Sequence, residues 1–133
     1  MSGGAVFSWP VRVYWEDTDG GGVVYYANYL KFLERARSEW LRALGQSQAI
    51  LAVDPGILFV VVSLQVEYLK PAHLDDALRV SCEPVRDGRV AVLFRQQILR
   101  DGPEPEPLLR AEVRVACLDV QSRRPRRVPE FVP

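Results

Sequence analysis

The residues best suited to chemistry lie in one acidic, glycine-rich stretch, residues 16–29, which reads EDTDGGGVVYYANY. It contains three carboxylates, then three consecutive glycines, and it leads into a predicted helix. The first turn of a helix has unpaired backbone N–H groups, which can polarise a carbonyl oxygen. A nearby carboxylate can attack the carbonyl carbon or deprotonate water. The stretch is therefore a candidate acyl-binding site, and the alternative is a solvated acidic turn.

Other reactive groups do not form a recognised catalytic pattern. His73 is the single histidine and has no neighbours at metal-ligand spacing, so we interpret it as a turn residue. A calcium-loop reading of Asp17 to Gly20 fails because Asn28 occupies the position of the bidentate glutamate. The sequence has no G-x-S-x-G motif, P-loop lysine or dinucleotide fingerprint. We therefore predict no metal and no cofactor.

A series of motifs runs in order along nearly the whole chain. They are RVYWEDTD from Arg12, GGVVY from Gly21, ERAR from Glu34, VEY from Val66 and LDD from Leu74. Together they resemble the Tol-Pal-associated acyl-CoA thioesterases of the 4-hydroxybenzoyl-CoA thioesterase family. The resemblance implies a hotdog fold, in which an antiparallel sheet wraps one long central helix. It also implies hydrolysis of an acyl-CoA thioester.

The same resemblance implies roles for individual residues of the loop. Asp19 matches the family's catalytic aspartate, so we expect it to be the nucleophile or general base. Tyr26 stands where most Tol-Pal-associated members have histidine. Here the chain is similar to the 4-hydroxybenzoyl-CoA thioesterase itself, whose backbone N–H at that position holds the thioester oxygen. We expect Gly22, Val23 and Tyr25 to contact the substrate.

The charge composition limits the partners of the chain. Lysine plus arginine and aspartate plus glutamate number 17 each, so the sequence lacks the basic excess of a nucleic-acid-binding protein. Almost all the cations are arginines, which suit phosphate contacts. Arg89, beside a predicted hairpin, is our candidate contact for the phosphates of coenzyme A. The alternative is that Arg89 belongs to solvated surface, as residues in runs of charge more often do. An acyl-carrier protein is a further candidate partner.

A strand and a helix are predicted to flank the loop. Alternating apolar residues predict a strand over residues 11–16. Asn28 is a suitable N-cap for the helix, and Gly45 is a suitable stop. Apolar residues recur between them at helical spacing: Tyr29, Phe32, Leu33, Ala36, Trp40 and Leu44.

The rest of the chain is predicted to be mainly strands. Residues 58–69 begin with a continuous apolar run, as in a strand leaving a fully buried region. Alternation over residues 78–83 and 90–94, on either side of Asp87-Gly88, predicts a hairpin, and residues 109–117 predict another strand. One helix with about five strands indicates an α+β fold with an antiparallel sheet. Unpaired edges favour association between copies, and the family resemblance implies a dimer or a dimer of dimers.

Length and cysteine content set further expectations. The chain of 133 residues is predicted to form one domain over residues 1–133, with a disordered start over residues 1–5. Cys82 and Cys117 lack C-x-x-C spacing, and we interpret them as reduced core thiols of a cytoplasmic protein. The apolar run over residues 57–62 is too short to span a membrane.

Two alternatives to a thioesterase remain open. One is a hydratase or dehydratase on the same fold, and the other is a non-catalytic module that binds acyl chains or acyl-carrier protein.

Overall fold

A computed structural model describes residues 6–133, so the expectation for residues 1–5 lies outside it. Its elements, in chain order, are β1 (Phe7–Arg12), α1 (Tyr29–Ala43), α2 (Gln48–Val53), β2 (Ile57–Tyr68), β3 (Ala77–Asp87), β4 (Ala91–Arg100) and β5 (Glu106–Asp119). Two 3₁₀ turns, Trp15–Asp17 and Tyr26–Asn28, lie between β1 and α1. None of the helices found within residues 6–133 is long and apolar enough to cross a bilayer.

The strands form one antiparallel sheet in the order β1-β3-β4-β5-β2. Helix α1 packs against it through β1 and β3. The predicted hairpin joins β3 to β4 through Gly88, whose φ of +77° lies in the left-handed region that favours glycine. The expected five-stranded α+β fold with one long helix is therefore confirmed.

Helix α1 buries the apolar face that its spacing predicts. The buried side chains are Tyr29, Phe32, Leu33, Ala36, Trp40 and Leu41. The ring of Trp40 meets Phe94 of β4 edge to face, with centroids 5.5 Å apart. The predicted stop is also correct, since Gly45 has a φ of +79° and donates its N–H to the Arg42 carbonyl. Leu44, predicted on the buried face, is exposed because it follows the last helical residue.

Two strand predictions need correction. Strand β1 begins earlier than predicted and ends at Arg12, and it includes Pro10. Proline is tolerated because β1 is an edge strand that pairs only with β3. The start of β2 is not buried as expected: Ile57 is buried, but Val60 and Val62 are exposed. The reason is that β2 forms the other sheet edge and pairs only with β5.

The segment after β5 folds back onto the sheet. Val128 and Val132 are each buried in the core. The Arg86 guanidinium donates to the carbonyls of Val128 at 3.3 Å and Pro129 at 2.8 Å. The backbone N–H of Arg86 donates to the carbonyl of Pro133 at 2.8 Å. Arg86 therefore holds the segment over residues 128–133 in place.

Candidate active site

A buried carboxylate begins the glycine-rich loop. Asp17 is 5% exposed, and its Oδ2 accepts the backbone N–H of Tyr14 at 2.8 Å. Its Oδ1 accepts the side-chain amide of Asn28 at 3.0 Å. Asn28 directly precedes α1 as predicted, but its side chain does not cap the helix. The amide instead joins the loop to the helix start, because Asp17 lies within its reach.

Asp19 lies at the turn of the loop and is exposed. Its backbone N–H donates to the Val23 carbonyl at 3.0 Å, and its Oδ1 accepts the backbone N–H of Gly21 at 2.7 Å. Gly20 and Gly22, which flank Gly21, have φ values of +89° and +91°, which residues other than glycine rarely adopt. Within residues 6–133 Asp19 Oδ2 has no hydrogen-bond donor. One oxygen is therefore held, while the other remains available to a ligand.

The start of the helical segment presents unpaired donors. The Tyr25 carbonyl accepts the backbone N–H of Asn28 at 2.8 Å. In a trans peptide the N–H points opposite to the carbonyl, so the N–H of Tyr26 points outward from the helix start. The N–H groups of Tyr26 and Ala27 make no hydrogen bond to the described part of the chain. These donors can stabilise negative charge on a carbonyl oxygen.

Tyr68 of β2 is a site residue that our reading of the sequence did not single out. Its Oη donates to the Tyr26 carbonyl at 2.8 Å across 42 positions of sequence. Partial burial raises the pKa of Tyr68, so its hydroxyl stays protonated and can donate this hydrogen bond. Tyr26 is 64% exposed, and its ring lies against that of Tyr25, with centroids 4.9 Å apart. The VEY motif was the one available signal for Tyr68.

The turn before β3 supports the other side of the glycine loop. Val23 forms an antiparallel bridge with His73, and the Gly22 carbonyl accepts the N–H of Leu74 at 2.9 Å. Arg100 Nη2 lies 3.3 Å from His73 Nδ1. His73 is thus an exposed turn residue, as predicted. The turn therefore pairs with the glycine loop through one bridge and one backbone hydrogen bond.

Arg89 lies apart from the other predicted site residues. The loop brings together Asp19, Gly22, Val23, Tyr25 and Tyr26. Arg89 follows the far end of β3, roughly 30 Å away at strand rise per residue. Its side chain is exposed, and its carbonyl accepts the N–H of Val128 at 2.9 Å.

A cavity of about 130 Å³, partly open to solvent, lies beside the second half of α1. Its apolar walls include Trp40, Leu41, Phe59, Val61 and Phe94. Trp40 is roughly 20 Å from Tyr26 along the helix direction, at 1.5 Å per residue. Within one chain the cavity is therefore separate from the glycine loop.

A second buried amide holds α1 against the sheet. Gln96 of β4 is 2% exposed and donates through Nε2 to the Leu33 carbonyl at 3.0 Å. Its Oε1 accepts from Arg37 Nη1 at 3.0 Å. Burial lowers the pKa of the Arg37 guanidinium. This contact lies on the helix body, away from the loop.

Comparison with known proteins identifies the family. Residues 21–106 match the family described as Thioesterase superfamily. The chain belongs to this superfamily. This superfamily member is 44% identical over 126 residues to the acyl-CoA thioesterase YbgC of Haemophilus influenzae, covering 95% of the chain and 90% of the relative. It is 44% identical to the acyl-CoA thioester hydrolase YbgC of Escherichia coli O6:H1, covering 96% and 92%.

Solved structures agree with the family assignment. The probable thioesterase from Bartonella henselae superposes with a TM-score of 0.86 at 35% identity, covering 94% of this chain and 100% of that one. A 1,4-dihydroxy-2-naphthoyl-CoA thioesterase from Synechocystis shares the fold, with a TM-score of 0.85 at 24% identity. The hotdog fold and the thioesterase family predicted from the motifs are thereby confirmed.

Proposed function

We propose that the chain hydrolyses an acyl-CoA thioester to a free acid and coenzyme A, and that Asp19 carries the reaction. The supporting observation is the pairing, in one loop, of an accessible carboxylate with the outward N–H of Tyr26. The acyl-CoA activity named for the two YbgC relatives supports the choice of substrate. Hydrolysis of a thioester requires such a donor and such a base or nucleophile.

In the proposed reaction the thioester oxygen accepts the N–H of Tyr26, which makes the carbonyl carbon more electrophilic. Asp19 then attacks that carbon, the carbon–sulfur bond breaks, and water hydrolyses the resulting anhydride. Alternatively Asp19 takes a proton from a water molecule, whose oxygen attacks instead. In both routes the sulfur leaves with the electron pair and is protonated to the thiol of coenzyme A.

The test is hydrolysis of an acyl-CoA panel, from short aliphatic to long-chain and benzoyl substrates, with acyl-carrier-protein thioesters included. Wild type is compared with Asp19→Asn, whose amide oxygen can still accept the Gly21 N–H. We expect kcat to fall by about 10² or more, because the reacting carboxylate is lost. Glu16→Gln, which removes a neighbouring exposed charge, is the matched control and should retain activity. Absent wild-type turnover, or an active Asp19→Asn, would contradict the proposal.

Isotope labelling tests the nucleophilic route. In single-turnover hydrolysis in heavy-oxygen water, attack by Asp19 places label in its carboxylate when the anhydride is opened at the aspartyl carbon, and this result would exclude pure general-base action. Label in the released acid alone fits direct attack by water and equally fits opening of the anhydride at the acyl carbon. Mass spectrometry of the loop peptide detects the label in Asp19.

We also propose that two copies associate through β2. Its outer edge has no strand partner within residues 6–133, and it exposes Val60, Val61, Val62 and Leu64. A long apolar edge strand readily pairs with another strand. We expect light scattering after size exclusion to show a dimer or a dimer of dimers. Val62→Asp should weaken association, whereas Val85→Asp on the interior strand β3 should not, and a monomeric wild type would contradict the proposal.

A second copy would also be required for Arg89 to reach the substrate bound at the glycine loop, given its position at the far end of β3.

We place the reaction in the cytoplasm, where the buried free thiols of Cys82 and Cys117 remain reduced. Fractionation of the source cells tests that location, and activity recovered outside the cytoplasmic fraction would contradict it.

A further inference from the structure

Asp17 and Asn28 form a buried pair next to the reacting groups, and they touch neither the substrate carbonyl nor the attacking atom of the proposed reaction. They are 5% and 7% exposed, and one hydrogen bond of 3.0 Å joins their side chains. We propose that they are positioning residues, which set the distance between the Asp19 carboxylate and the Tyr26 N–H. The proposal rests on the function proposed above.

Asp17 fixes the strand-like arms of the loop. Its carbonyl accepts the N–H of Tyr25 at 3.0 Å, and the Asp19 N–H reaches the Val23 carbonyl at 3.0 Å. A bridge between Thr18 and Val24 lies between these contacts. The arms therefore form a short ladder with Asp19 at its end. Movement of Asp17 would be transmitted through two residues to the reacting carboxylate.

Asn28 fixes the donor. Its backbone N–H binds the Tyr25 carbonyl at 2.8 Å. That carbonyl belongs to the same planar peptide as the N–H of Tyr26, so its orientation sets the direction in which the donor points. The side chain of Asn28 at the same time holds Asp17. One residue thus connects the donor to the arm that carries Asp19.

The chemical character of the pair favours a positioning role over simple packing. Asp17 is a buried carboxylate whose hydrogen-bond donors, the Tyr14 N–H and the Asn28 amide, are neutral. Among the described residues it has no salt-bridge partner. Burying such a group is costly, whereas apolar side chains would fill the same space at lower cost. Hydrogen bonds define direction as well as distance, and a displacement of about 1 Å at a reacting group can lower a rate about 10²-fold.

Asn28→Ala removes the side-chain bond but keeps the backbone N–H. We expect kcat to fall about tenfold or more, with KM within about twofold, because binding survives and alignment is lost. Gln96→Ala is the matched control, since Gln96 is a buried amide that also bonds to α1. It should lower the melting temperature by a similar amount, with kcat within about twofold of wild type at a temperature where all variants are folded.

An exchange of the two side chains tests the bond itself. Asn28→Asp opposes two carboxylates and should also lower kcat. In the double variant Asp17→Asn/Asn28→Asp, the amide at 17 can donate to the carboxylate at 28 and still accept from Tyr14. We expect kcat to recover to within about fivefold of wild type. If Asn28→Ala does not fold, Asn28→Asp and the double variant provide the comparison.

Three results would overturn the positioning role: Asn28→Ala with unchanged kcat, Gln96→Ala with an equal loss of kcat, or a double variant no better than Asn28→Asp. If the wild-type protein hydrolyses no acyl-CoA, the proposed function on which the positioning role depends is itself refuted. Wild-type activity is therefore measured before any variant is compared.

Discussion

Replacing Tyr26 by proline removes one backbone N–H together with an exposed aromatic ring. The preceding residue, Tyr25, has φ −62° and ψ 133°, which is the conformation that a residue before proline prefers. Tyr26 is the first residue of the helical segment, where proline is tolerated. No hydrogen bond within residues 6–133 uses its N–H. We therefore expect Tyr26→Pro to fold, with an unfolding free energy within about 1 kcal/mol of wild type.

The expected kinetic effect is large by comparison. Removing one donor to a developing oxyanion typically lowers kcat by about 10²–10³, equivalent to about 2.7–4 kcal/mol of transition-state stabilisation. The Tyr68 hydroxyl can still reach the carbonyl at position 26, since proline retains it. We therefore expect kcat for the best acyl-CoA to fall about 10²-fold or more, whereas KM changes little.

Tyr26→Ala is the control, because it loses the exposed ring but retains the N–H. Its kcat should remain within about tenfold of wild type, so the ratio of the alanine and proline variants measures the backbone donor alone. Thermal unfolding and circular dichroism establish that both variants are folded. A folded Tyr26→Pro with kcat within about threefold of Tyr26→Ala would refute the oxyanion role of this N–H.

Steady-state kinetics should show a KM for acyl-CoA that is raised several-fold in Arg89→Ala but unchanged in Arg124→Ala, which replaces another exposed arginine. An unchanged KM in Arg89→Ala would exclude the phosphate contact. Burial raises the pKa of Cys82 to about 12, so a disulfide reagent at pH 8 should label this thiol only after unfolding, and rapid native labelling would contradict this. A hydrogen bond from Lys70 holds the pKa of Glu106 below its ordinary value. The ionised Glu106 therefore stabilises the fold above about pH 4.3, which is the pKa of an unperturbed glutamate, and this stabilisation is lost as pH falls through the lower pKa of the folded state. In Glu106→Gln the melting temperature should consequently fall less steeply than in wild type as the pH is lowered.

Local patterns predicted the elements that carry the site. The apolar spacing from Tyr29 to Trp40 defines one helix face, and Gly45 marks its end, because both depend on residues close in sequence. The three glycines likewise predicted a loop at the helix start, and two of them adopt positive φ. Asp19 was selected by resemblance to a family, since the residue types alone also fit a solvated turn.

Contacts between distant residues could not be predicted in the same way. Asn28 has the residue type of an N-cap, yet its amide binds Asp17, 11 positions away, instead of the helix backbone. Tyr68 reaches Tyr26 across 42 positions, which no local period encodes. The apolar start of β2 gives the same pattern whether a strand is covered by its own chain or by another copy. Its exposure in the single chain became visible only with the strand order.

The tyrosine side chain at position 26 takes little part in the proposed chemistry, because the donor to the thioester oxygen is a backbone group. Its ring is largely exposed and contacts Tyr25, whereas its carbonyl is held by Tyr68. The side chain can therefore alter what approaches the thioester without moving the N–H that polarises it. Asn28 orients that N–H by binding the Tyr25 carbonyl of the same peptide, and Asp17 holds the side chain of Asn28. A substitution at position 26 that keeps the N–H should consequently shift preference among acyl groups more than it shifts the maximal rate.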